Sequence, residues 1–148
     1  MTYRQMRLLF AGLARYDGRL SVLTAHNDVP VGLWTVVLRD HVRHSWLGIH
    51  RIEQLAPDEQ GSGPLVPWER PLAEFEALAQ PKNVAMTWLE VLWALGVFKH
   101  SPRGWSLLAI EASRPACTEP RYRLVLQRTG IRYEAHSYAA FEQIIAAG

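Results

Sequence analysis

The stretch from Asn83 to Gly104 constrains the fold of this chain most, because it is apolar on every side for about three helical turns. Between Val84 and Leu95, only Thr87 and Glu90 interrupt the apolar run. A helix on the surface of a globular protein instead shows a polar face with a period of 3.6 residues. We therefore predict a central, mostly buried helix over residues 84–95, ended near Gly96 and enclosed by its own domain or by a second copy of the chain.

Length and composition predict one soluble domain that spans residues 1–148. The single cysteine excludes an intramolecular disulfide and fits a reducing compartment, so we expect a cytoplasmic protein. A formal net charge of +2 gives no strong field for nucleic acid, and it permits self-association. No apolar run is long enough to span a bilayer.

Tryptophan is unusually frequent, with six residues spread along the chain. Large aromatic side chains dominate core packing, and they are also enriched at interfaces and in binding pockets. We expect most of the six in the core. The candidates for an aromatic ligand pocket or a partner surface are Trp34, Trp46, Trp88 and Trp93, together with Glu90.

The first half of the chain predicts a helix over residues 3–15 and a short strand over residues 19–25. Residues 30–55 are ambiguous. Their β-branched and aromatic residues favour a hairpin, while a single helix starting at a proline is the alternative. Residues 71–80 predict a short helix that follows a loop rich in proline and glycine.

The last third predicts a strand over residues 105–112, a hairpin around Thr129-Gly130 and a closing helix over residues 138–147. A two-residue turn places Leu126 opposite Tyr133 and Leu124 opposite Ala135. The whole pattern predicts an α+β fold, with an antiparallel sheet, a C-terminal β-meander and helices packed mainly on one face. No internal repeat is visible.

The segment from Arg39 to His50 holds the sharpest polar cluster, with Asp40, His41, His44 and His50. Imidazole and carboxylate groups suit zinc, and a histidine can act as a general base near neutral pH. The spacing matches no metal motif, and a hairpin would spread the three histidines apart. We therefore expect no metal ion here, and we keep His44 only as a weak catalytic candidate.

Glu90 is the one charge inside the apolar helix. A buried carboxylate must be paired, or its pKa must rise, and either condition can mark a functional site. The structural explanation, which we favour, is that Glu90 reaches an arginine or lies at an exposed edge. Glu90 is nevertheless a second weak catalytic candidate.

The C-terminal hairpin carries four arginines that could contact phosphate: Arg121, Arg123, Arg128 and Arg132. Glu134 lies among them, and no aromatic residue interleaves on their face. An ordinary solvated sheet face is therefore favoured over a nucleic-acid site.

Motifs for nucleotide binding, metalloproteases and serine hydrolases are absent from the sequence. The favoured function is a small non-catalytic binding or interaction protein that forms a homodimer and holds a ligand or a protein partner, without a cofactor. The alternative is a hydrolase- or isomerase-type enzyme using His41, His44, His50 and Glu90. A nucleic-acid-binding regulator that uses the C-terminal arginines is third.

Overall fold

The computed structural model describes residues 1–13, 18–28, 32–42, 44–51, 69–71, 84–99, 104–112 and 120–147. The chain forms two compact units, Met1–Ala79 and Gln80–Gly148. Both contain antiparallel strands with helices packed on them, so the protein is α+β as predicted. The expectation of a single domain stays a prediction.

Unit 1 begins with helix α1, Tyr3–Gly12, and continues with strands β1, Leu20–Asp28, β2, Leu33–Asp40, β3, Ser45–Ile49, and β4, Glu69–Pro71. The strands are antiparallel neighbours in the order β4-β3-β2-β1. Hydrophobic side chains of α1 and of the strands form the core, including Met6, Leu9, Phe10, Val22, Ala25, Val36, Leu38, Leu47 and Ile49.

Unit 2 consists of helix α2, Trp88–Lys99, strands β5, Trp105–Ala112, β6, Tyr122–Arg128, and β7, Ile131–Ala135, and helix α3, Tyr138–Ala147. The strands form the predicted β-meander. The predicted pairs Leu124–Ala135 and Leu126–Tyr133 are confirmed. Positive φ angles at Thr129 and Gly130, 50° and 76°, produce the two-residue turn that fixes this register.

The two units repeat one motif, which is visible in their strand registers. Adding 85 to each residue number of α1 and β1 gives its counterpart in α2 and β5. The offset from β2 to β6 is 88, and the offset from β3 to β7 is 86. Leu20 pairs with Asp40 as Trp105 pairs with Arg128. A register shift occurs between Val22 and Thr24 in β1, and at the equivalent position, between Leu107 and Ala109, in β5.

The connection between helix and sheet is also the same in both units. The backbone of Met1 exchanges two hydrogen bonds with Trp34, and the backbone of Met86 exchanges two with Tyr122. The His50 carbonyl accepts from the Met1 nitrogen at 2.8 Å, and the His136 carbonyl accepts from the neighbouring Ala85 nitrogen at 2.8 Å. These bonds attach the start of each helix to the middle strand and to the end of the third.

The expectation that the chain contains no internal repeat is therefore wrong. The core positions keep their apolar character without keeping their identity, so that Met6 corresponds to Val91 and Phe10 to Leu95. A methionine, a threonine and an aromatic residue precede or open each helix, at 1–3 and 86–88. That short match was the one signal in the sequence that could have revealed the repeat.

Several predicted boundaries are wrong. Helix α2 begins at Trp88 and runs through Gly96, because a glycine inside a helix lowers its stability without having to end it. Strand β1 extends beyond its predicted end at residue 25 and includes residues 26–28, because they pair with residues 33–35 of β2. The hairpin interpretation of residues 30–55 is confirmed by β2 and β3. The helix predicted over residues 71–80 has its first residue in β4, and its remainder lies outside the described residues.

Candidate functional site

The outward face of α2 carries a stripe of exposed apolar side chains. Leu89, Trp93 and Val97 follow one another at intervals of four residues and are 55%, 53% and 36% exposed. The opposite side of the helix is buried through Val91, Ala94 and Leu95. The prediction of a mostly buried helix is therefore wrong: among the described residues, three side chains of α2 are buried and three apolar ones are exposed. We call Leu89, Trp93 and Val97 the α2 stripe.

The ring of Trp93 is held in place by the start of α3. It meets the Tyr138 ring edge-to-face, with 5.9 Å between centroids and 75° between planes. Tyr138 in turn contacts Phe141, which is buried. Such an aromatic arrangement fixes the orientation of Trp93 on the surface, so the α2 stripe is a preformed surface.

The equivalent face of α1 shows that the fold does not require this stripe. Its counterpart of Leu89 is Arg4, and its counterpart of Leu92 is Arg7. Leu8, the counterpart of Trp93, is exposed by 56%, but it directly follows Arg7 and lies one helical turn from Arg4. The same helix in the same motif is therefore stable with a basic outward face, and the apolar face of α2 needs another explanation.

Glu90 has a structural role at the start of α2. Its carboxylate accepts a hydrogen bond from the Thr87 backbone nitrogen at 2.9 Å, and the Thr87 hydroxyl accepts one from the Glu90 nitrogen at 3.1 Å. This reciprocal pair is a capping box, which satisfies two otherwise unpaired donors of the first helical turn. Thr2 and Gln5 form the same box in α1. Capping therefore explains why a polar residue stands at position 90. A catalytic or ligand-binding role of Glu90 stays a prediction.

The four tryptophans predicted to form a binding site do not share one environment. Trp34 is buried in unit 1, where its ring lies 6.1 Å from that of Tyr3. In unit 2 the ring centroids of Trp88 and Tyr122 are 5.2 Å apart. This is the equivalent pair with the residue types exchanged, because Trp88 corresponds to Tyr3 and Tyr122 to Trp34. Burial raises the pKa of Tyr3 to about 12, against the opposing charge of Arg7.

The other two tryptophans lie on β3 and on the outward face of α2. Trp46 is half-buried on β3, opposite Arg39 of β2. Of the four, Trp93 is the one that the structure describes as exposed, and it is the member of the predicted set that belongs to the α2 stripe. The partners Leu89, Val97 and Tyr138 were not identified from the sequence, because a helix that is apolar all round does not indicate which side stays uncovered.

The three histidines of the predicted cluster make separate contacts. The His41 Nε2 lies 2.9 Å from the Ser21 hydroxyl, and the His50 Nδ1 lies 3.3 Å from the Thr35 hydroxyl. His44 is exposed in the turn between β2 and β3, with a φ of 52°. Among the described residues, no group of three histidine, cysteine, aspartate or glutamate side chains could hold a metal ion. The enzyme alternative therefore gains no geometric support from this cluster.

The electrostatic environment of His41 favours its neutral form. Burial lowers the pKa of His41, and the nearby Arg39 and His44 charges lower it further. The Asp40 carboxylate acts in the opposite direction but does not cancel these effects. Asp40 itself is fully buried and bound to Arg19, with 2.9 Å between the guanidinium Nη2 and the carboxylate Oδ2.

Two of the four arginines of the C-terminal hairpin, Arg123 and Arg132, lie beside carboxylates. Arg123 contacts Glu111 at 3.3 Å and Glu134 at 3.4 Å, and Glu134 also lies 3.5 Å from both Arg132 and His136. Such a mixed network has little of the positive field that phosphate binding needs. The nucleic-acid hypothesis thus finds no support in this surface.

Unit 2 also contains a concave site that the sequence did not reveal. A cavity of about 330 Å³ opens between the sheet and α3, with Trp105, Arg128, Tyr133 and Ile144 among its walls. Trp105 is one of the two tryptophans that were left out of the predicted pocket. We call this cavity the Trp105 groove.

Comparisons with known proteins name no relative for this chain. No protein-family model matches it, no curated protein matches it, and no solved structure matches it. In the part of the chain that the structure describes, no helix combines the length and apolar character needed to cross a membrane. The function must therefore be argued from the surfaces described above.

Proposed function

We propose that this protein is a non-catalytic interaction protein that forms a homodimer, with the α2 stripe of one copy packed against the α2 stripe of another. The observation that carries the proposal is the exposure of Leu89, Trp93 and Val97 on one face of one helix. Exposed apolar side chains that are contiguous on a folded protein mark interaction surfaces, whereas singly scattered ones are ordinary.

The occupant we favour is a second copy, because the stripe suits a two-fold interface. In such an interface the same surface of both copies is in contact, so a stripe of like charges would repel the stripe of the second copy. The α2 stripe has no charged member, whereas its counterpart in α1 includes Arg4. Glu90, which is next to Leu89 in the sequence, is engaged in the capping box with Thr87.

The size of the surface sets the expected strength of the dimer. A 12-residue helix is about 18 Å long, so a helix pair gives an interface at the low end of the range for specific complexes. Tryptophan at the centre of such a surface is the residue type that most often dominates binding. We therefore expect a dimer with a dissociation constant of roughly micromolar magnitude.

Sedimentation velocity over a range of about 1 to 500 μM, which brackets that affinity, tests the proposal. The wild type should shift from monomer to dimer as concentration rises. Trp93→Glu should abolish the shift, because two-fold symmetry would place two carboxylates in an apolar interface. Leu89→Arg is a second disruptive variant, and the fold should tolerate it because α1 carries Arg4 at the equivalent position.

The repeat supplies a matched control for this experiment. Leu8 is the counterpart of Trp93 and is as exposed, so Leu8→Glu introduces the same charge at the same place in the motif. Leu8→Glu should leave the dimer intact. A wild type that stays monomeric throughout, or a loss of dimer in Leu8→Glu equal to that in Trp93→Glu, would refute the α2 interface.

A further inference from the structure

We propose that the open edge of strand β7 binds an extended segment of a partner protein, which joins the sheet as an antiparallel strand. β7 pairs with β6 on one side, and no strand of the described residues pairs with it on the other. We call the open side, from Ile131 to Glu134, the β7 edge. It is a different surface from the α2 stripe, so the proposal goes beyond self-association. Backbone groups at a sheet edge can bond to an extended segment of another chain.

The two-residue turn before β7 determines which of its backbone groups point outward. In such a hairpin the residues that flank the turn, Arg128 and Ile131, exchange hydrogen bonds, and so does every second pair after them. Arg132 and Glu134 belong to the pairs in between, so their N–H and C=O groups point to the β7 edge. An antiparallel strand can exchange two hydrogen bonds with each of these two residues.

Unit 1 shows that the motif accepts a strand at this place. Strand β3 is the counterpart of β7, and its edge is covered by the three-residue strand β4. Residues 45–47 of β3 pair with β4, and their counterparts in β7 are residues 131–133. The β7 edge is therefore long enough for the same kind of pairing.

The side chains of the β7 edge are accessible to an added strand. Ile131 and Tyr133 are 55% and 36% exposed, and on the other face of the strand the side chains of Arg132 and Glu134 are 59% and 38% exposed. The guanidinium of Arg132 lies 3.5 Å from the Glu134 carboxylate, and Glu134 also contacts Arg123. Ion pairs this exposed are weak, so both charges can still select a partner.

These two charges define the sequence of the partner segment. Residues directly opposite each other in an antiparallel pair interact, and like charges there are unfavourable. The added strand therefore needs an acid opposite Arg132, a base opposite Glu134 and an apolar residue between them, opposite Tyr133. Read from its N-terminus, the segment is basic, apolar and acidic. β4 does not fit, because its register would place Arg70 opposite Arg132.

A second copy of the chain has the required order at residues 132–134, but its hairpin suits the edge less well. In an antiparallel pair centred on Tyr133, Gly130 of the second copy would fall opposite His136. The His136 carbonyl already accepts a hydrogen bond from the Ala85 nitrogen at 2.8 Å, so the chain itself occupies that end of the edge. An extended segment can end before this point, whereas a hairpin brings its turn with it. We therefore favour a segment of another protein.

The probe for the test is the synthetic peptide acetyl-TTRVETT-amide, which has the basic, apolar, acidic order at its centre. Binding is followed by NMR through the backbone amide signals of Arg132 and Glu134 in the full chain. Wild type and Trp93→Glu should bind the peptide equally, since the α2 stripe takes no part. A ligand of this size should bind with a dissociation constant of about 1 mM.

Modified peptides test the geometry of the added strand. Methylation of the glutamate nitrogen removes a donor that faces Arg132 and should weaken binding at least about tenfold. Methylation of the valine nitrogen, which points away from β7, is the matched control and should have little effect. The peptide acetyl-TTEVRTT-amide places like charges opposite Arg132 and Glu134 and should bind about fivefold more weakly.

Arg132→Glu should also weaken binding of the first peptide about fivefold. Arg4→Glu makes the same change of charge at an exposed position of α1 and should leave the affinity unchanged. Thermal melting checks that both variants are folded, and the peptide comparisons on the wild type carry the test if Arg132→Glu is not.

Four results would overturn the proposal. The first is equal binding of the two methylated peptides, and the second is equal binding of the two charge orders. The third is the absence of any change in the Arg132 and Glu134 signals at about 10 mM of the first peptide. The fourth is a change in these signals as Trp93→Glu alone is concentrated, which would assign the β7 edge to a second copy.

Discussion

The backbones of Met86 and Tyr122 exchange two hydrogen bonds, of 3.2 Å from the Met86 nitrogen and 2.8 Å from the Tyr122 nitrogen. Met1 and Trp34 make the same pair of bonds in the other unit. This bridge holds the start of each helix against the middle strand of its meander. Because it recurs at equivalent positions, residues of α1 and β1–β3 have structural counterparts in α2 and β5–β7 that serve as controls.

Replacement of Glu90 tests whether its charge matters. Gln5 performs the same capping in α1 with an uncharged amide, so Glu90→Gln should change the free energy of unfolding by less than about 0.5 kcal/mol. Glu90→Leu removes the cap acceptor and should cost about 0.5–2 kcal/mol. Urea unfolding measures both. A large loss in Glu90→Gln would indicate a role for the carboxylate beyond capping.

The two sides of α2 should respond differently to truncation. Leu95 is 1% exposed, so Leu95→Ala should cost about 2–5 kcal/mol of unfolding free energy. Leu89 is 55% exposed, so Leu89→Ala should cost less than about 1 kcal/mol at concentrations where the protein is monomeric. Chemical denaturation at low protein concentration distinguishes them, and similar losses at both sites would mean that the stripe is covered within the monomer.

The Arg19–Asp40 ion pair should be important for stability because Asp40 is fully buried. The Asp40 carboxylate also accepts from the Arg19 Nε at 3.0 Å and from the Val42 nitrogen at 3.0 Å. Asp40→Ala leaves the Arg19 charge without this partner and should cost about 3–5 kcal/mol. Arg132→Gln, at an exposed pair, should cost less than about 1 kcal/mol in the same denaturation experiment.

Protonation of His41 should destabilise the fold at mildly acidic pH. Its pKa is lowered from 6.5 in the folded state, so between the folded value and 6.5 the unfolded chain binds more protons. Stability should therefore rise as pH increases through that window and level off above it. His41→Gln should reduce this slope, measured as the melting temperature between about pH 5 and pH 7.5. An unchanged slope would mean that other groups cause the pH dependence.

The sequence predicted the C-terminal half of the fold more accurately than the α2 region. Helix α3 and strand β5 were predicted with their observed bounds, because α3 has its large apolar residues on one face and β5 is a short, largely apolar run. The Thr129-Gly130 turn fixed the register of β6 and β7, since a two-residue turn permits one pairing. Helix α2 has no such periodicity, so neither its ends nor its covered side could be read from its residues.

The sequence by itself determined the α+β class, the meander and the presence of an apolar helix, predicted over residues 84–95, because these follow from contacts between residues close in the chain. Only the tertiary structure decided that the chain repeats one motif, that Leu89, Trp93 and Val97 stay exposed, and that Trp105, Tyr133 and Arg128 surround a groove. Exposure and cavities depend on which distant segments cover a residue. An apolar side chain looks the same in sequence whether or not that cover exists.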